Sequence, residues 1–281
     1  MSAEEERNLS PDVELLNQII PSAGSVATSI LVQTFETCTF IAQPTNSEKV
    51  VVRLEAESGR VATVSSIQKL AALAIPDLVP NVYRTGIVSA SDGRNLDFSV
   101  TKYVDNAVTF EAVWDDLQID QYSHITTQIG SAVEKLQSID LLAEARKIPL
   151  GGPHIGFFTN MPDLVRHLVS SQDGLHQISI TSTADGGLAI ETPLDDIPSV
   201  SIAKDALDAL QNAVVLCHSD LEPRNILVRA DGADYEVVAI IDWEMAGLFP
   251  SRLNPPTKTL SWGTRIWFSH GAAAQGPELG A

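Results

Sequence analysis

The residues best suited to chemistry lie in two short segments in the last quarter of the chain. The first reads H-S-D-L-E-P-R-N over residues 218–225, and the second reads I-I-D-W-E over residues 240–244. Phosphoryl transfer needs a carboxylate that accepts the proton of the attacking hydroxyl, together with oxygen ligands that hold Mg²⁺ against the nucleotide phosphates. Asp220 can supply the first, and Asn225 and Asp242 can supply the second. The pattern therefore indicates a phosphoryl-transfer site.

The elements around these residues must bring the two oxygen ligands together. Residues 226–229 have the composition of a short strand, residues 230–232 that of a turn, and residues 235–241 that of a β-branched return strand. Such a hairpin places Asp242 beside Asn225. Because Mg²⁺ takes few protein ligands and completes its shell with water and phosphate oxygens, two ligands on adjacent strands suit it.

The same residues allow other interpretations. His218 and Asp220 alone are compatible with a capped turn that holds a core histidine, and Asp242 alone with any strand that ends in a turn. A Ser-His-Asp hydrolase is excluded, because consecutive residues cannot relay a proton in line and the sequence has no G-x-S-x-G turn. The joint order of His218, Asp220, Asn225, hairpin and Asp242 favours phosphoryl transfer.

The two segments also carry a resemblance to a known family. The words L-C-H-S-D-L-E-P-R-N-I-L-V and I-I-D-W-E-M-A-G resemble those of the aminoglycoside phosphotransferase and choline kinase-like family, which shares the two-lobed protein-kinase fold. Trp-Glu after the second aspartate points to this family rather than to eukaryotic protein kinases, which have D-F-G there. The resemblance implies that Asp220 is the catalytic base, that Asn225 and Asp242 bind Mg²⁺, that His218 braces the loop, and that ATP is the phosphoryl donor.

The resemblance implies an α+β, two-lobed protein-kinase-like fold. A small antiparallel-sheet lobe that binds nucleotide is expected over residues 1–104, with the hinge near 100–104. A mainly helical lobe with the catalytic loop and the metal-binding hairpin is expected over 105–250, and an irregular tail over 251–281.

Local patterns give the expected elements. Helices are expected over 11–20, with Ser10 as the N-cap, over 60–74, 110–117, 121–139, 161–170 and 200–212. Strands are expected over 27–35, 38–43, 49–54, 81–88 and 96–104. The polar segment 170–199 is interpreted as an excursion towards the substrate or a mobile flap.

Nucleotide contacts follow from the resemblance. Arg53 occupies the place of the lysine that meets the nucleotide phosphates in this fold, and the alternative is an exposed arginine on an edge strand. A planar guanidinium contacts phosphate with a geometry that differs from that of an ammonium group. The backbone of Lys102, Tyr103 and Val104 is expected to pair with adenine, and residues 22–25 are a weak candidate for a phosphate-wrapping loop.

Two features depart from the family pattern. The helix over 60–74 contains no acidic residue to pair with Arg53, and Gln68 is only a weak substitute. Only 39 residues follow Asp242, with no helical periodicity after about residue 251, which suggests an altered reading frame, an alternative ending or a disordered tail. These departures keep a second hypothesis open: a catalytically weak or inactive kinase-like protein that binds nucleotide or a protein partner.

Composition limits the remaining possibilities. The formal net charge of −18 argues against nucleic acid and anionic membranes as partners, and it reflects either acidic solubility or attraction of a cationic substrate. Cys38 and Cys217 have no disulfide or zinc-site spacing. The sequence shows no signal peptide and no membrane-spanning run, so a cytoplasmic protein is expected. The expected partners are a nucleotide and a small molecule that carries the accepting hydroxyl.

Overall fold

The computed structural model describes residues 8–21, 26–45, 47–139, 149–171, 178–192 and 198–251. The chain divides into two compact units. One is formed by the chain up to Ala132 together with Pro223–Trp243, and the other by Val133–Glu222 together with the chain from Glu244 onward. The chain therefore passes from the second unit into the first immediately after Glu222, and returns after Trp243.

The secondary structure follows in chain order. The first part contains α1 (Val13–Ile19), β1 (Val26–Gln33), β2 (Thr37–Pro44), β3 (Val50–Ala56), α2 (Arg60–Ala74), β4 (Val82–Ser89), β5 (Asn95–Lys102), β6 (Val108–Thr109), α3 (Phe110–Val113) and α4 (Ile119–Gln137). The second part contains β7 (Leu150–Gly152), β8 (Gly156–Phe158), α5 (Met161–Ser171), β9 (Ser179–Ser182), β10 (Leu188–Glu191), β11 (Val200–Ile202), α6 (Lys204–Asn212), β12 (Val214–Cys217), β13 (Ile226–Asp231), β14 (Asp234–Ile240) and β15 (Gly247–Pro250).

The first unit is built on a five-stranded antiparallel sheet in the order β1-β2-β3-β5-β4. Burial alternates strictly along β2, so that Cys38, Phe40 and Ala42 all point to one face. This is the period-two pattern of a sheet with one covered face. Helix α1 contributes to the same hydrophobic core through its apolar side chains, among them Leu15 and Ile19. The small antiparallel sheet expected for the amino-terminal lobe is thereby confirmed.

The start of α1 corrects the sequence prediction. The N-cap is Asp12, whose Oδ1 accepts the Leu15 N–H at 2.8 Å, and not Ser10. Leu9 is fully buried, and its N–H donates to the Thr34 carbonyl at 2.9 Å. Because this contact holds the preceding segment against the end of β1, the helix begins later than the sequence suggests.

A second, three-stranded sheet in the first unit has the order β14-β13-β6 and packs against α3. Its core contains Phe110, Ile125, Ile226, Val228 and Val237. Ile125 and Ile129 of the long helix predicted over 121–139 therefore belong to this hydrophobic core. This core supports the hairpin formed by β13 and β14.

The second unit has more strands than the sequence indicated. It contains a four-stranded sheet, β12-β15-β7-β8, and a three-stranded sheet, β11-β10-β9, together with α5 and α6. Segment 200–212, expected to be one helix, begins with the strand β11 and becomes helical only at Lys204. Within segment 170–199 the described residues form β9 and β10, so this part of the proposed excursion is a paired sheet.

Some expectations fall outside the described residues. These are the candidate phosphate-wrapping loop over 22–25 and the tail from residue 252 onward. No helix in the described ranges is both long enough and apolar enough to cross a bilayer.

Candidate active site

The hairpin of β13 and β14 carries the two proposed metal ligands at its open end. Ile226 pairs with Ile240, and the Ile241 N–H donates to the Asn225 carbonyl at 2.9 Å. The predicted hairpin is confirmed, with its turn at Gly232, which has the positive φ of 62° that glycine adopts without steric cost. The hairpin therefore places Asn225 next to the residue that precedes Asp242.

Asp242 has an unusual backbone conformation. Its φ is +63°, which places it among three non-glycine residues of the described chain in the left-handed region, with Ser219 and Asn106. Such conformations cost of order 1–3 kcal/mol and persist where surrounding contacts impose them. Here the next residue supplies such a contact, because the buried Trp243 ring donates its Nε1–H to the Ile240 carbonyl at 2.9 Å. The indole thus fixes the turn that presents the Asp242 carboxylate.

Arg53 of β3 lies close to this carboxylate within the same unit. Its Nη1 is 3.5 Å from Asp242 Oδ1, and the two side chains are 29% and 32% exposed. A partly exposed pair of this kind contributes little to stability. The pair matters because of where it lies. Arg53 is the cation expected to contact phosphate, and Asp242 is the carboxylate expected to bind the metal. Their contact shows that Arg53 is not an isolated surface residue.

The carboxylate partner of Arg53 was missed by the sequence analysis. Glu55 Oε1 accepts from Arg53 Nε at 2.5 Å, and Glu55 is only 5% exposed. The expected partner was a glutamate on the following helix, or Gln68 in its place. Gln68 instead donates its Nε2–H to the Pro80 carbonyl at 2.6 Å. The signal for Glu55 was present in the sequence, because residues i and i+2 of a strand share one face.

The remaining proposed residues of the catalytic loop lie in the second unit. Strand β12 pairs with β15, with Cys217 opposite Gly247, and thereby sets the start of the loop. His218 is buried, and its Nδ1 accepts the Asp220 N–H at 3.3 Å. A ring nitrogen that accepts a hydrogen bond carries no proton, so this geometry corresponds to the neutral imidazole with its proton on Nε2. His218 therefore contacts the backbone of the proposed base, as the bracing role expected from the resemblance requires.

Ser219 completes this turn. Its φ is +63°, and its buried Oγ has no hydrogen-bond partner among the described residues. A strained residue with an unsatisfied hydroxyl is a feature that functional loops retain at a cost in stability. Ser219 and Asp242, which both have a left-handed backbone conformation, thus lie in the two segments expected to carry the chemistry, 218–225 and 240–244.

The expected hinge segment, residues 100–104, lies partly within strand β5 of the sheet. Lys102 is the last residue of β5, and its N–H donates to the Asn81 carbonyl at 2.9 Å. The N–H of Lys102 is therefore already used inside the protein. Tyr103 and Val104 follow the strand, and Lys49 Nζ lies 5.3 Å from the centre of the Tyr103 ring.

The donor set fits magnesium. The amide of Asn225 and the carboxylate of Asp242 are hard oxygen donors, which Mg²⁺ prefers in small number. In the described part of the chain no group of three or more His, Cys, Asp or Glu residues is arranged to hold a metal ion. A metal that needs a full protein cage therefore does not match these residues as well as Mg²⁺ does.

Comparison with known proteins identifies a family to which the chain is similar. Residues 35–250 match the model of the phosphotransferase enzyme family. No curated protein matches the chain significantly.

Among solved structures, the GDP complex of a mutant aminoglycoside 2'-phosphotransferase-IIIa is similar with a TM-score of 0.50 and 16% identity, over 88% of this chain and 75% of that one. Macrolide 2'-phosphotransferase from Brachybacterium faecium, as apoenzyme, gives 0.41 and 16% over 86% and 74%. Spectinomycin phosphotransferase in complex with ADP and spectinomycin gives 0.43 and 13% over 85% and 69%.

The first of these structures shows that the chain has the kinase-like, two-lobed α+β fold expected from the sequence. Because the family match spans well over half of its length, the chain belongs to the phosphotransferase enzyme family.

Proposed function

We propose that the protein transfers the γ-phosphoryl group of ATP to a hydroxyl of a small molecule, with Mg²⁺ as the metal. The observation that carries this proposal is the 3.5 Å contact between Arg53 and Asp242. It joins the β3 cation to the aspartate of the I-I-D-W-E segment within a chain of the phosphotransferase family. The alternative of an arginine on an edge strand does not apply, because β3 is paired on both sides, with β2 and β5.

Asp220 is the proposed base, which accepts the proton of the attacking hydroxyl. Its backbone N–H is bonded to His218 Nδ1, so the buried imidazole limits movement of the backbone that carries the carboxylate. A group positioned in this way typically contributes about 10² to 10⁴ in rate. His218 is a positioning residue in this scheme, because it acts through Asp220.

Asn225 and Asp242 are the proposed metal ligands. When bound, Mg²⁺ neutralises negative charge on the phosphate oxygens. The fixed turn after β14 and the hydrogen bond from Ile241 to Asn225 hold the two ligand positions in place before the metal arrives. Such preorganisation reduces the entropy cost of binding.

Arg53 is proposed to contact the phosphates, and the segment Lys102, Tyr103 and Val104 to hold adenine. Since the Lys102 N–H is bonded to Asn81, a backbone N–H of this segment that donates to adenine would be that of Tyr103 or Val104. The similar structures include a GDP complex and an ADP complex of phosphotransferases. We therefore propose that a purine nucleotide binds between Arg53 and the segment of Lys102, Tyr103 and Val104.

The acceptor is proposed to be a small molecule with a free hydroxyl. The names of the similar structures cover aminoglycoside, macrolide and spectinomycin phosphotransferases, so the acceptor class is open among hydroxylated compounds. The net charge of −18 favours approach of cationic acceptors over anionic ones. A screen should therefore contain amino sugars and amino alcohols as well as neutral polyols.

The test is ADP formation from Mg·ATP over this panel, with wild type and Asp220→Asn compared on every acceptor that responds. We expect the substitution to lower turnover by about 10² to 10⁴. ADP affinity should stay within about threefold, because the substitution changes a group assigned to the acceptor hydroxyl.

Asp205→Asn is the matched control. Asp205 lies exposed in the first turn of α6 in the same unit, and its substitution removes the same charge. Equal turnover in wild type and Asp220→Asn would remove Asp220 from the role of base. Nucleotide binding without turnover on any acceptor would favour the binding-only alternative.

A further inference from the structure

Arg53 belongs to a row of ion pairs whose central residue is Glu55, on the same strand β3. Val52 and Leu54 of β3 point into the core of the first unit, while Arg53 and Glu55 point to the opposite face. Arg53 Nε donates to Glu55 Oε1 at 2.5 Å. Because residues i and i+2 of a strand share one face, the two side chains project from neighbouring points of β3.

A second arginine holds the other oxygen of the same carboxylate. Arg60 Nε and Nη2 donate to Glu55 Oε2 at 3.0 and 2.8 Å. Each carboxylate oxygen of Glu55 therefore has its own guanidinium. A carboxylate buried to this degree needs such compensation, because an unpaired buried charge is costly.

Arg60 is itself anchored to the sheet. It is the first residue of α2, and the N–H groups of Ser58 and Gly59 donate to the buried Asp97 Oδ2 at 2.9 and 2.6 Å. Asp97 lies opposite Glu55 in the pairing of β3 with β5. The start of α2 is thus attached to the strand that adjoins Glu55, and Arg60 projects from a fixed position.

We propose that Glu55 is the residue that positions Arg53 for the nucleotide phosphates, and that Arg60 in turn positions Glu55. This inference rests on the proposed function. Helix α2 contains no acidic residue, and it contributes to this arrangement only through Arg60, its first residue. Fixing Nε of Arg53 fixes the plane of its rigid guanidinium fork, and bidentate contacts with phosphate depend on that plane.

Substitution of Glu55 tests this assignment. Glu55→Gln keeps the shape of the side chain but removes the charge that orients Arg53. Both arginine side chains are about 30% exposed, so water can solvate them after the substitution. We therefore expect a loss of orientation rather than of folding.

The experiment measures binding of Mg·ADP and of adenosine to the full-length protein, together with KM and kcat for ATP. Glu55→Gln and Arg60→Gln should each weaken Mg·ADP binding roughly tenfold, the loss that follows when one charge-assisted hydrogen bond is misdirected. KM for ATP should rise by a similar factor. Adenosine affinity should be unchanged, since adenosine carries no phosphate for Arg53 to contact. The double variant should be no worse than either single variant, because both act through Arg53.

Asp92→Asn is the matched control. Asp92 accepts from Arg94 Nε at 2.6 Å in another i, i+2 pair of the first unit. It should leave all these constants unchanged. If Glu55→Gln lacks a folded thermal transition, Arg60→Gln decides alone.

The proposal is overturned if both variants bind Mg·ADP as the Asp92→Asn protein does, if adenosine binding weakens in parallel, or if the two substitutions add. A wild-type protein that binds Mg·ATP and turns over, with variants that do the same, would reject only this inference. A wild-type protein that binds no nucleotide would reject the proposed function and this inference together.

Discussion

Asp242→Asn is the most informative single substitution, because the structure separates its effect on folding from its effect on metal binding. The residue has a φ of +63°. Aspartate and asparagine both tolerate this conformation, whereas alanine would add strain there. The amide also keeps the shape of the side chain, so the substitution removes mainly the negative charge.

The cost in stability should be small. The ion pair with Arg53 spans 3.5 Å between side chains that are 29% and 32% exposed. Pairs of this exposure contribute about 0.2–1 kcal/mol, which corresponds to a fall in Tm of at most about 4 °C for a protein of this size. The proposed metal site, in contrast, would lose its one charged ligand. We expect turnover at saturating ATP to fall on the order of a hundredfold or more, with a higher Mg²⁺ concentration needed for half-maximal rate.

Turnover against Mg²⁺ concentration and thermal unfolding with and without Mg·ATP measure these two effects separately. The wild type should show a rise in Tm with Mg·ATP, since a ligand that binds only the folded state stabilises it, and the variant should show a smaller rise. Asp234→Asn, at the exposed start of β14, is the control in the same hairpin. Wild-type turnover with an unchanged Mg²⁺ requirement in Asp242→Asn would refute the assignment of Asp242 as a ligand.

Three further predictions concern the rest of the fold. Cys38 and Cys217 are both buried, and burial raises the pKa of each thiol, that of Cys217 to about 12, so a thiol reagent at pH 8 should label neither until the protein is unfolded. Gly247→Ala should lower the free energy of unfolding by about 3 kcal/mol or more in urea titrations, because the new Cβ would meet the backbone of Gly151, whose carbonyl carbon would lie 2.8 Å away. Burial also raises the pKa of Tyr122 to about 12, so the unfolded chain loses this proton first as the pH rises above about 10. Stability should therefore fall between about pH 10 and 12, and Tyr122→Phe should reduce that slope.

The local elements around the site were predictable because short-range chemistry determines them. Helix α2 has the expected bounds, and the hairpin of β13 and β14 follows from a glycine turn between two apolar strands. The start of α1 was not predictable, because Ser10 and Asp12 are both good N-caps. The choice depends on the bond between Leu9 and Thr34, which the sequence does not reveal.

The partner of Arg53 shows a different limit. A glutamate was expected on the helix after β3, and its absence was one reason to consider a catalytically weak protein. Glu55 instead supplies a carboxylate to Arg53 from the strand itself. The alternation of β3 alone would have placed Arg53 and Glu55 on one face. The contribution of Arg60 requires the position of the start of α2, which depends on the bonds to Asp97.

The roles proposed for Asn225 and Asp242 can be tested most directly by locating the metal. Crystals grown with Mn²⁺ in place of Mg²⁺ and a non-hydrolysable ATP analogue would reveal the ion by its anomalous scattering. The proposed function predicts one Mn²⁺ bound by the Asn225 side-chain oxygen and the Asp242 carboxylate, with phosphate oxygens completing its shell. A metal–nucleotide complex bound elsewhere, with neither side chain as a ligand, would contradict it.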